Sequence, residues 1–223
     1  MDMERNEERV LAELHDEVRH RFLGIDDLAH GWEHVSRVYQ LANFIARKEG
    51  ADSFIVGAAA LLHDLGRAEP HEIGTEPEGH HADLSVSLAT GLLSERDVSR
   101  TRQEAILHAI LAHSFSRGVE PRTIEARVVR DADRLDALGA IGILRWAITG
   151  EVRRTPHSYD PDDPFAERRE LDDKQYMLDH FPRKLLELEA TMLTPAGRTM
   201  ARQRTAFLQQ YIEQFRRELD IPR

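Results

Sequence analysis

The segment LLHDLGR, at residues 61–67, places a histidine next to a carboxylate at the end of an apolar stretch. In the middle of a regular helix the side chains of His63 and Asp64 would point about 100° apart. Gly66 predicts that the helix ends here, and at a helix end both side chains can turn toward one point. Because burying a carboxylate is costly unless it is paired or bound to a metal, the pair indicates a metal site. The alternative is a helix-end histidine that binds loose carbonyl groups, with Asp64 at the surface.

A histidine earlier in the chain could contribute to the same site. His34 begins a predicted helix next to its apolar face, and His30 precedes it by four residues in the segment HGWEH. Two histidines at this spacing on one helix are a metal-binding arrangement. Gly31 instead favours a loop position for His30, so His34 is the stronger candidate.

Three aspartates lie within six residues in the later segment DADRLDALG. On a regular helix Asp133 shares a face with the apolar residues Val129 and Ala137, whereas Asp131 and Asp136 point elsewhere. Asp133 is therefore the best candidate for an inward-facing ligand. Asp131 and Asp136 remain open as supporting residues around the site, as partners of arginines, or as solvated acids.

The composition limits what kind of site this can be. The chain has 223 residues, 12 histidines, no cysteine and a formal net charge of -10. Without cysteine, any metal must be bound through nitrogen and oxygen, and disulfides are excluded. The acidic balance argues against binding to nucleic acid duplexes, which needs a broad positive surface. No stretch approaches the roughly 20 apolar residues of a membrane span, and the polar N-terminus lacks a signal core, so we expect a cytoplasmic location.

The elements that must position these residues are helices, because nearly every periodic segment has helical spacing. The expected fold is all-α, in a single domain over residues 1–223. A helix over residues 32–49 ends at Gly50, and Asp52 or Ser53 caps the next helix. The sequence IVGAAALL of that next helix is apolar on most sides, so we expect it to be the central buried helix.

Later segments complete the predicted helical domain. Gly139 and Gly142 predict either a break or tight helix packing within one of these helices, and Thr194 with Pro195 opens the last one. A metal-site core is expected over about residues 26–150, with C-terminal helices over about 170–220 packing on it. The intervals predicted as helices after a polar loop at 67–81 are 82–93, 99–113, 124–149, 174–192 and 195–219.

The segments HGWEHVSRVY, AALLHDLGR and DADRLDALGA together resemble the signature of the HD superfamily of metal-dependent phosphohydrolases. That signature is a histidine, then a His–Asp pair, then a distant aspartate. The segment HSF at His113 and the C-terminal sequence resemble a subgroup of small bacterial HD hydrolases. The resemblance implies that His34, His63, Asp64 and Asp133 bind one divalent metal ion. Two imidazoles and two carboxylates suit Mn²⁺, which we favour, and also Fe²⁺, Ni²⁺, Co²⁺ or Zn²⁺.

The group that accepts a proton from the attacking water stays open among four candidates. Asp64 could do so while binding the metal, Asp131 could act from nearby, and His81 and His113 titrate near neutrality. The two histidines could instead cap helices, hydrogen-bond to neighbours or bind a second metal. The chain lacks the segment GYP of the HD enzymes that cleave cyclic dinucleotides, and we expect a single metal.

A phosphate substrate needs cationic partners, and four side chains are candidates. Arg37 lies three residues after His34, Arg67 follows the His–Asp pair, Arg134 follows Asp133, and Lys184 lies in the segment HFPRKLLELE. Each could instead keep the surface soluble or form an ion pair. Arg37 and Arg67 are the better candidates because of where they lie in the motifs.

These residues predict a metal-dependent phosphohydrolase acting on a small phosphate ester or anhydride, with a nucleotide as the expected substrate. Hydrolysis of a nucleoside triphosphate to release pyrophosphate and dephosphorylation of a nucleoside monophosphate are both open. One alternative is a non-catalytic, metal-containing module that senses a nucleotide. Another is a helical bundle that uses its histidines only for packing.

The last predicted helix leaves the oligomeric state open. Its apolar face could cover the core of the domain, or it could pair with a second copy in a homodimer. The residues of this face are Met200, Phe207, Leu208, Tyr211, Ile212 and Phe215.

Overall fold

The structure is a computed structural model that describes residues 2–25, 27–69 and 80–220. Within these ranges the regular structure is helical, apart from one isolated bridge between His157 and Tyr176, so the predicted all-α class is confirmed. Most of the predicted loop at 67–81 lies outside the described residues. The α-helices are α1 (Asp2–Arg21), α2 (Trp32–Glu49), α3 (Ser53–Leu62), α4 (His81–Glu95), α5 (Arg100–His113), α6 (Ile124–Leu135), α7 (Gly139–Val152), α8 (His180–Arg183) and α9 (Pro195–Leu219).

The chain divides into two compact units, Met1–Asp133 and Arg134–Arg223, with the division near the end of α6. The prediction of a single domain over residues 1–223 stays a prediction. None of the helices in the described ranges combines the length and apolar character needed to cross a membrane.

The first unit is built around α3, which packs against α1, α2 and α5. Eight of its ten residues are buried, as expected from its alanine- and leucine-rich sequence. A Cβ atom at Gly57 would lie 3.2 Å from the Leu11 side chain and 3.3 Å from that of Tyr39, so the absence of a side chain lets three helices approach closely. The C-terminal end of α3 is therefore fixed within the core.

The ends of α2 and α3 follow the predicted capping pattern. Gly50 has the left-handed conformation, with φ of +68°, and ends α2. Of the two candidate caps for α3, the one used is Asp52, whose carboxylate accepts hydrogen bonds from the N–H groups of Phe54 and Ile55 at 2.9 and 3.1 Å.

A short 3₁₀-helix, Leu65–Ala68, continues the chain after α3 and packs against α4. A Cβ atom at Gly66 would lie 2.5 Å from the carbonyl oxygen of His81 and 2.7 Å from Cβ of Leu84. The N–H group of Gly66 donates to Oγ of Ser85 at 2.9 Å. These contacts hold the segment after α3 against the first turns of α4.

The second unit has an aromatic core between α7, α8 and α9. The Trp146 ring meets the ring of Phe181 edge-on at 4.8 Å, and Phe181 stacks on Tyr211 at 5.8 Å. Leu208 is also fully buried, whereas Phe207 is 46% exposed, so the apolar face of α9 covers this core only in part. The predicted break is present, because α7 begins at Gly139 with φ of +72°. Whether the chain forms a homodimer stays a prediction.

The helix predicted over residues 174–192 was wrong. This interval instead contains α8 and three 3₁₀-helices, Met177–Asp179, Leu185–Glu187 and Glu189–Thr191. Asp179 is buried and accepts hydrogen bonds from both terminal nitrogens of Arg169, at 2.6 and 2.8 Å, and from the N–H group of Asp172. These bonds to the preceding loop, together with Pro182, override the helical periodicity.

Candidate metal centre

His63 lies directly after α3 and is fully buried. Its Nδ1 atom donates a hydrogen bond to the carbonyl oxygen of Ala60 at 2.7 Å, so Nε2 of the neutral ring carries a lone pair. Burial lowers the pKa of His63 to about 4, against the opposing effect of the neighbouring Asp64 carboxylate. The ring is therefore neutral at pH 7, as a metal ligand must be.

Three further side chains face Nε2 of His63. Nε2 of His34, on α2, lies 3.3 Å away, Oδ2 of Asp64 lies 3.7 Å away, and Oδ1 of Asp133, on α6, lies 4.0 Å away. His34 in turn lies 3.4 Å from the same oxygen of Asp133 and 3.6 Å from that of Asp64. The structure thus brings together the four residues that the HD resemblance indicated.

These distances fit a shared cation. Two donor atoms bound about 2.1 Å from one ion lie at most about 4.2 Å apart, and all five distances, from 3.3 to 4.0 Å, fall within that limit. The hydrogen bond from His63 to a backbone carbonyl is the usual means of orienting a metal-binding imidazole. Two nitrogens and two carboxylates suit a divalent transition metal such as Mn²⁺.

The two aspartates are ionised. Burial acts to raise the pKa of Asp64, but the Arg67 guanidinium and His63 hold it well below its usual value. Burial likewise opposes ionisation of Asp133, yet the hydrogen bond and charge of His34 lower its pKa. The site therefore presents two negative charges beside two imidazoles, an arrangement that attracts a divalent cation.

The second oxygen of Asp64 faces another pair of histidines. Oδ1 lies 3.6 Å from Nε2 of His113 and 3.7 Å from Nε2 of His81, is buried, and has no hydrogen-bond partner among the described residues. His113 is held by a 2.5 Å hydrogen bond from its Nδ1 to the carbonyl oxygen of Ile110. A buried carboxylate oxygen without a partner indicates that a proton, a water molecule or a cation belongs here.

Arg67 borders the same carboxylate. Its Nε atom lies 3.2 Å from Oδ2 of Asp64, and a terminal nitrogen lies 3.3 Å from Nδ1 of His81. Because a guanidinium only donates, the Nδ1 atom of His81 accepts this bond, and its Nε2 carries the proton that points toward Asp64. Arg67 thus adds a positive charge to the site, although its role toward a phosphate stays a prediction.

For the remaining candidate site residues, the structure gives the position in the fold. Arg37 lies one turn after His34 on α2 and is half-buried, and Lys184 belongs to the second unit. Their roles as phosphate ligands stay predictions. Two groups of potential metal ligands converge among the described residues, namely His34, His63 and Asp133, and His63, Asp64 and His113. Asp131 is fully buried on α6 but belongs to neither group. Its role as proton acceptor also stays a prediction.

Asp136 has a structural role. Its carboxylate lies 3.2 Å from a terminal nitrogen of Arg145 in the second unit, and it is almost fully buried. Of the three alternatives that the sequence left open for Asp136, the structure therefore supports the one in which it pairs with an arginine. Removal of either partner would leave a buried charge without its counterion, so the two side chains are expected to depend on each other.

One residue near the site was missed by the sequence analysis. Asp27 lies in the turn before α2 and accepts hydrogen bonds from the N–H groups of Ala29 and His30, at 2.9 and 3.0 Å. Its second oxygen lies 3.0 Å from Nδ1 of His30, whose ring lies 6.1 Å from that of His34. An aspartate three residues before a histidine in a predicted loop was the available signal.

An all-helical fold that presents two histidines and two aspartates to one point defines a class of metal-binding hydrolases, and comparison with known proteins agrees. The family model for the HD domain matches residues 31–138. The YpgQ protein of Bacillus subtilis is 37% identical over 197 residues, covering 86% of this chain and 85% of that protein. The structure of an HD-superfamily hydrolase from Bacillus thuringiensis matches this one with a TM-score of 0.74 and 31% sequence identity. The match covers 97% of this chain and 100% of that chain. The chain belongs to the HD superfamily, whose domains bind divalent metals.

Two further similarities bear on its chemistry. The structure of Bacillus subtilis YpgQ in complex with ADP has a TM-score of 0.73 and 34% identity, and covers 97% of both chains. Ribonuclease Y of Thermoanaerobacter pseudethanolicus is 34% identical over 122 residues, which are 55% of this chain but only 21% of that protein. The second similarity is therefore local.

Proposed function

We propose that the protein is a metal-dependent phosphohydrolase acting on a small phosphate ester or anhydride, with a nucleotide as substrate. The observation that carries this proposal is the convergence of His34, His63, Asp64 and Asp133, for which the five donor-to-donor distances given above run from 3.3 to 4.0 Å. Membership of a family that includes hydrolases supports the reaction type. The ADP complex of the similar YpgQ protein supports a nucleotide.

In this proposal the four residues hold one divalent metal ion, with Mn²⁺ favoured. When bound, such an ion lowers the pKa of water to roughly 7 and polarises a phosphoryl oxygen. Asp64 and Asp133 supply the negative charge that retains it, and His34 and His63 supply nitrogen donors. The net charge of -10 makes a duplex nucleic acid a poor substrate, and we retain the cytoplasmic location as part of the proposal.

Geometry favours His113 over the other candidates as proton acceptor. Its Nδ1 donates to the carbonyl oxygen of Ile110, so its Nε2 carries the lone pair in the neutral ring. The Asp64 carboxylate, 3.6 Å from that Nε2, would stabilise the protonated ring. His81 is a poorer acceptor because its Nδ1 already accepts from Arg67. Asp64 and Asp131 remain as less favoured acceptors.

The test is a panel of nucleoside mono-, di- and triphosphates assayed with Mn²⁺, comparing the wild type with Asp64→Asn. We expect the substitution to abolish turnover and weaken Mn²⁺ binding, while the circular dichroism of the helices is unchanged. Release of pyrophosphate from a triphosphate or of phosphate from a monophosphate distinguishes the two open reactions. Asp16→Asn, which alters an exposed acid on α1, is the control. Equal activity of Asp64→Asn and wild type would refute the mechanism.

A nucleotide sensor is the second candidate, because the similar YpgQ protein is seen with ADP bound. It predicts that the protein binds Mn²⁺ and ADP, as measured by calorimetry, yet releases no product from any nucleotide in the panel. A purely structural use of the histidines predicts neither binding nor any loss of stability when metal is removed.

A further inference from the structure

Phe115 is an apolar side chain that the proposed chemistry does not use. It is 73% exposed, more than any other large apolar side chain in the described ranges. It follows His113 by two residues, which span at most about 7 Å of chain. The exposed ring is therefore attached to the chain beside His113, whose Nε2 lies 3.6 Å from Oδ1 of Asp64.

The segment that carries Phe115 is fastened on both sides of the ring. Ser114 is buried, and its hydroxyl lies 3.1 Å from that of Ser116, which lies 2.9 Å from Nε2 of His80. Arg117 forms an ion pair with Asp83 of α4, with Nε 3.1 Å from the carboxylate. These contacts tie the segment to the start of α4, so the ring is presented on an anchored support.

Resting on the proposed nucleotide hydrolysis, we propose that Phe115 is the stacking platform for the nucleobase of the substrate. A charged site beside an exposed aromatic ring suits a ligand with an anionic end and a flat, apolar end, which is the chemistry of a nucleotide. A stacking ring recognises the face that all bases share. The platform therefore increases the affinity for nucleotides but gives little specificity for one base over another.

The test compares Phe115→Ala and Phe115→Trp with the wild type on two kinds of substrate. One is the nucleotide hydrolysed fastest, and the other is its counterpart without the base, ribose 5-phosphate or inorganic tripolyphosphate. Loss of one stacking contact should raise the KM for the nucleotide about tenfold and leave kcat within about twofold. The base-free substrate should be unaffected, and Phe115→Trp should retain the wild-type KM.

Phe44→Ala, which truncates an exposed ring on α2, is the matched control and should behave as the wild type. An equal change of KM on both substrates, or no change on either, would overturn the platform.

If the wild type hydrolyses no nucleotide, the proposed function fails, and ADP binding with Mn²⁺ by calorimetry tests Phe115 on its own. About tenfold weaker ADP binding by Phe115→Ala supports the platform, whereas equal affinity or no binding overturns it.

Discussion

The Nε2 atoms of His34 and His63 lie 3.3 Å apart, although 29 residues separate them in the chain. Nδ1 of His63 donates to the carbonyl oxygen of Ala60, so its Nε2 presents a lone pair toward the second imidazole. Two nitrogens and two carboxylates held this closely repel one another unless positive charge lies between them. The pair is therefore arranged for a cation.

We expect chelation of the metal to destabilise the protein. At a Mn²⁺ concentration of 100 times its Kd, binding contributes about 2.7 kcal/mol, which raises Tm by roughly 5–10 °C for a chain of this size. Differential scanning fluorimetry with EDTA and with Mn²⁺ measures the shift. His34→Ala should lose it, whereas His20→Ala, on the exposed side of α1, should keep it. A shift retained by His34→Ala would place the ion elsewhere.

We expect the purified protein to bind one equivalent of Mn²⁺ by elemental analysis. Because Nδ1 of His81 accepts a hydrogen bond from Arg67 at 3.3 Å, Nε2 of that ring carries a proton toward Asp64 and cannot bind a second cation there. His113→Gln should keep this equivalent and lower turnover by about 10²–10⁴-fold, as loss of a proton acceptor does. Two equivalents in the wild type, falling to one in His113→Gln, would show that both groups of ligands are filled.

Gly66→Ala should destabilise the protein by about 1–3 kcal/mol, because the added methyl overlaps the carbonyl oxygen of His81 at 2.5 Å and Cβ of Leu84 at 2.7 Å. Urea unfolding in EDTA measures the free energy of unfolding without a metal contribution. Gly91→Ala is the matched control in α4, since no neighbouring atom of the described residues would lie within 4 Å of the added Cβ. That variant should be neutral or up to about 1 kcal/mol more stable. Equal stability of the two variants would mean that the 3₁₀-helix and α4 are packed less closely.

Asp27 should contribute stability that depends on pH. Burial acts to raise its pKa, but the hydrogen bond and charge of His30 and two backbone N–H groups lower it overall. A carboxyl group with a lowered pKa stabilises the folded state above its unfolded value of about 3.9, and the effect is lost as the pH falls toward the folded pKa.

Asp27→Asn should therefore be about 1–2 kcal/mol less stable than the wild type at pH 7, with a gap that narrows below about pH 4. Urea unfolding from pH 7 to pH 3 measures the gap. Asp16→Asn changes an acid that is 84% exposed and lies 3.5 Å from His15, so it should show no such gap. A gap that widens at low pH would contradict the assignment.

The sequence was most informative where the residues that determine the structure or the site are close together in the chain. His63 and Asp64 lie between an apolar helix and a glycine, and Gly139 marked the break before α7. The sequence was least informative where contacts with residues outside the segment determine its conformation. The carboxylate of Asp179 is drawn to Arg169, and no local pattern indicates that this contact breaks the predicted helix over 174–192. The buried oxygen of Asp64 between two histidines also depends on three-dimensional packing alone.

The buried position of α3 has a consequence for heating. His63 follows a helix that has almost no face in water and is enclosed by three others, so it has no independent route to disorder. On heating, the protein should therefore lose the ability to bind the cation at the same temperature at which the surrounding core unfolds. Binding of Mn²⁺ would report on the integrity of the whole first unit, unlike a site carried on a surface loop, which can be lost while its scaffold survives.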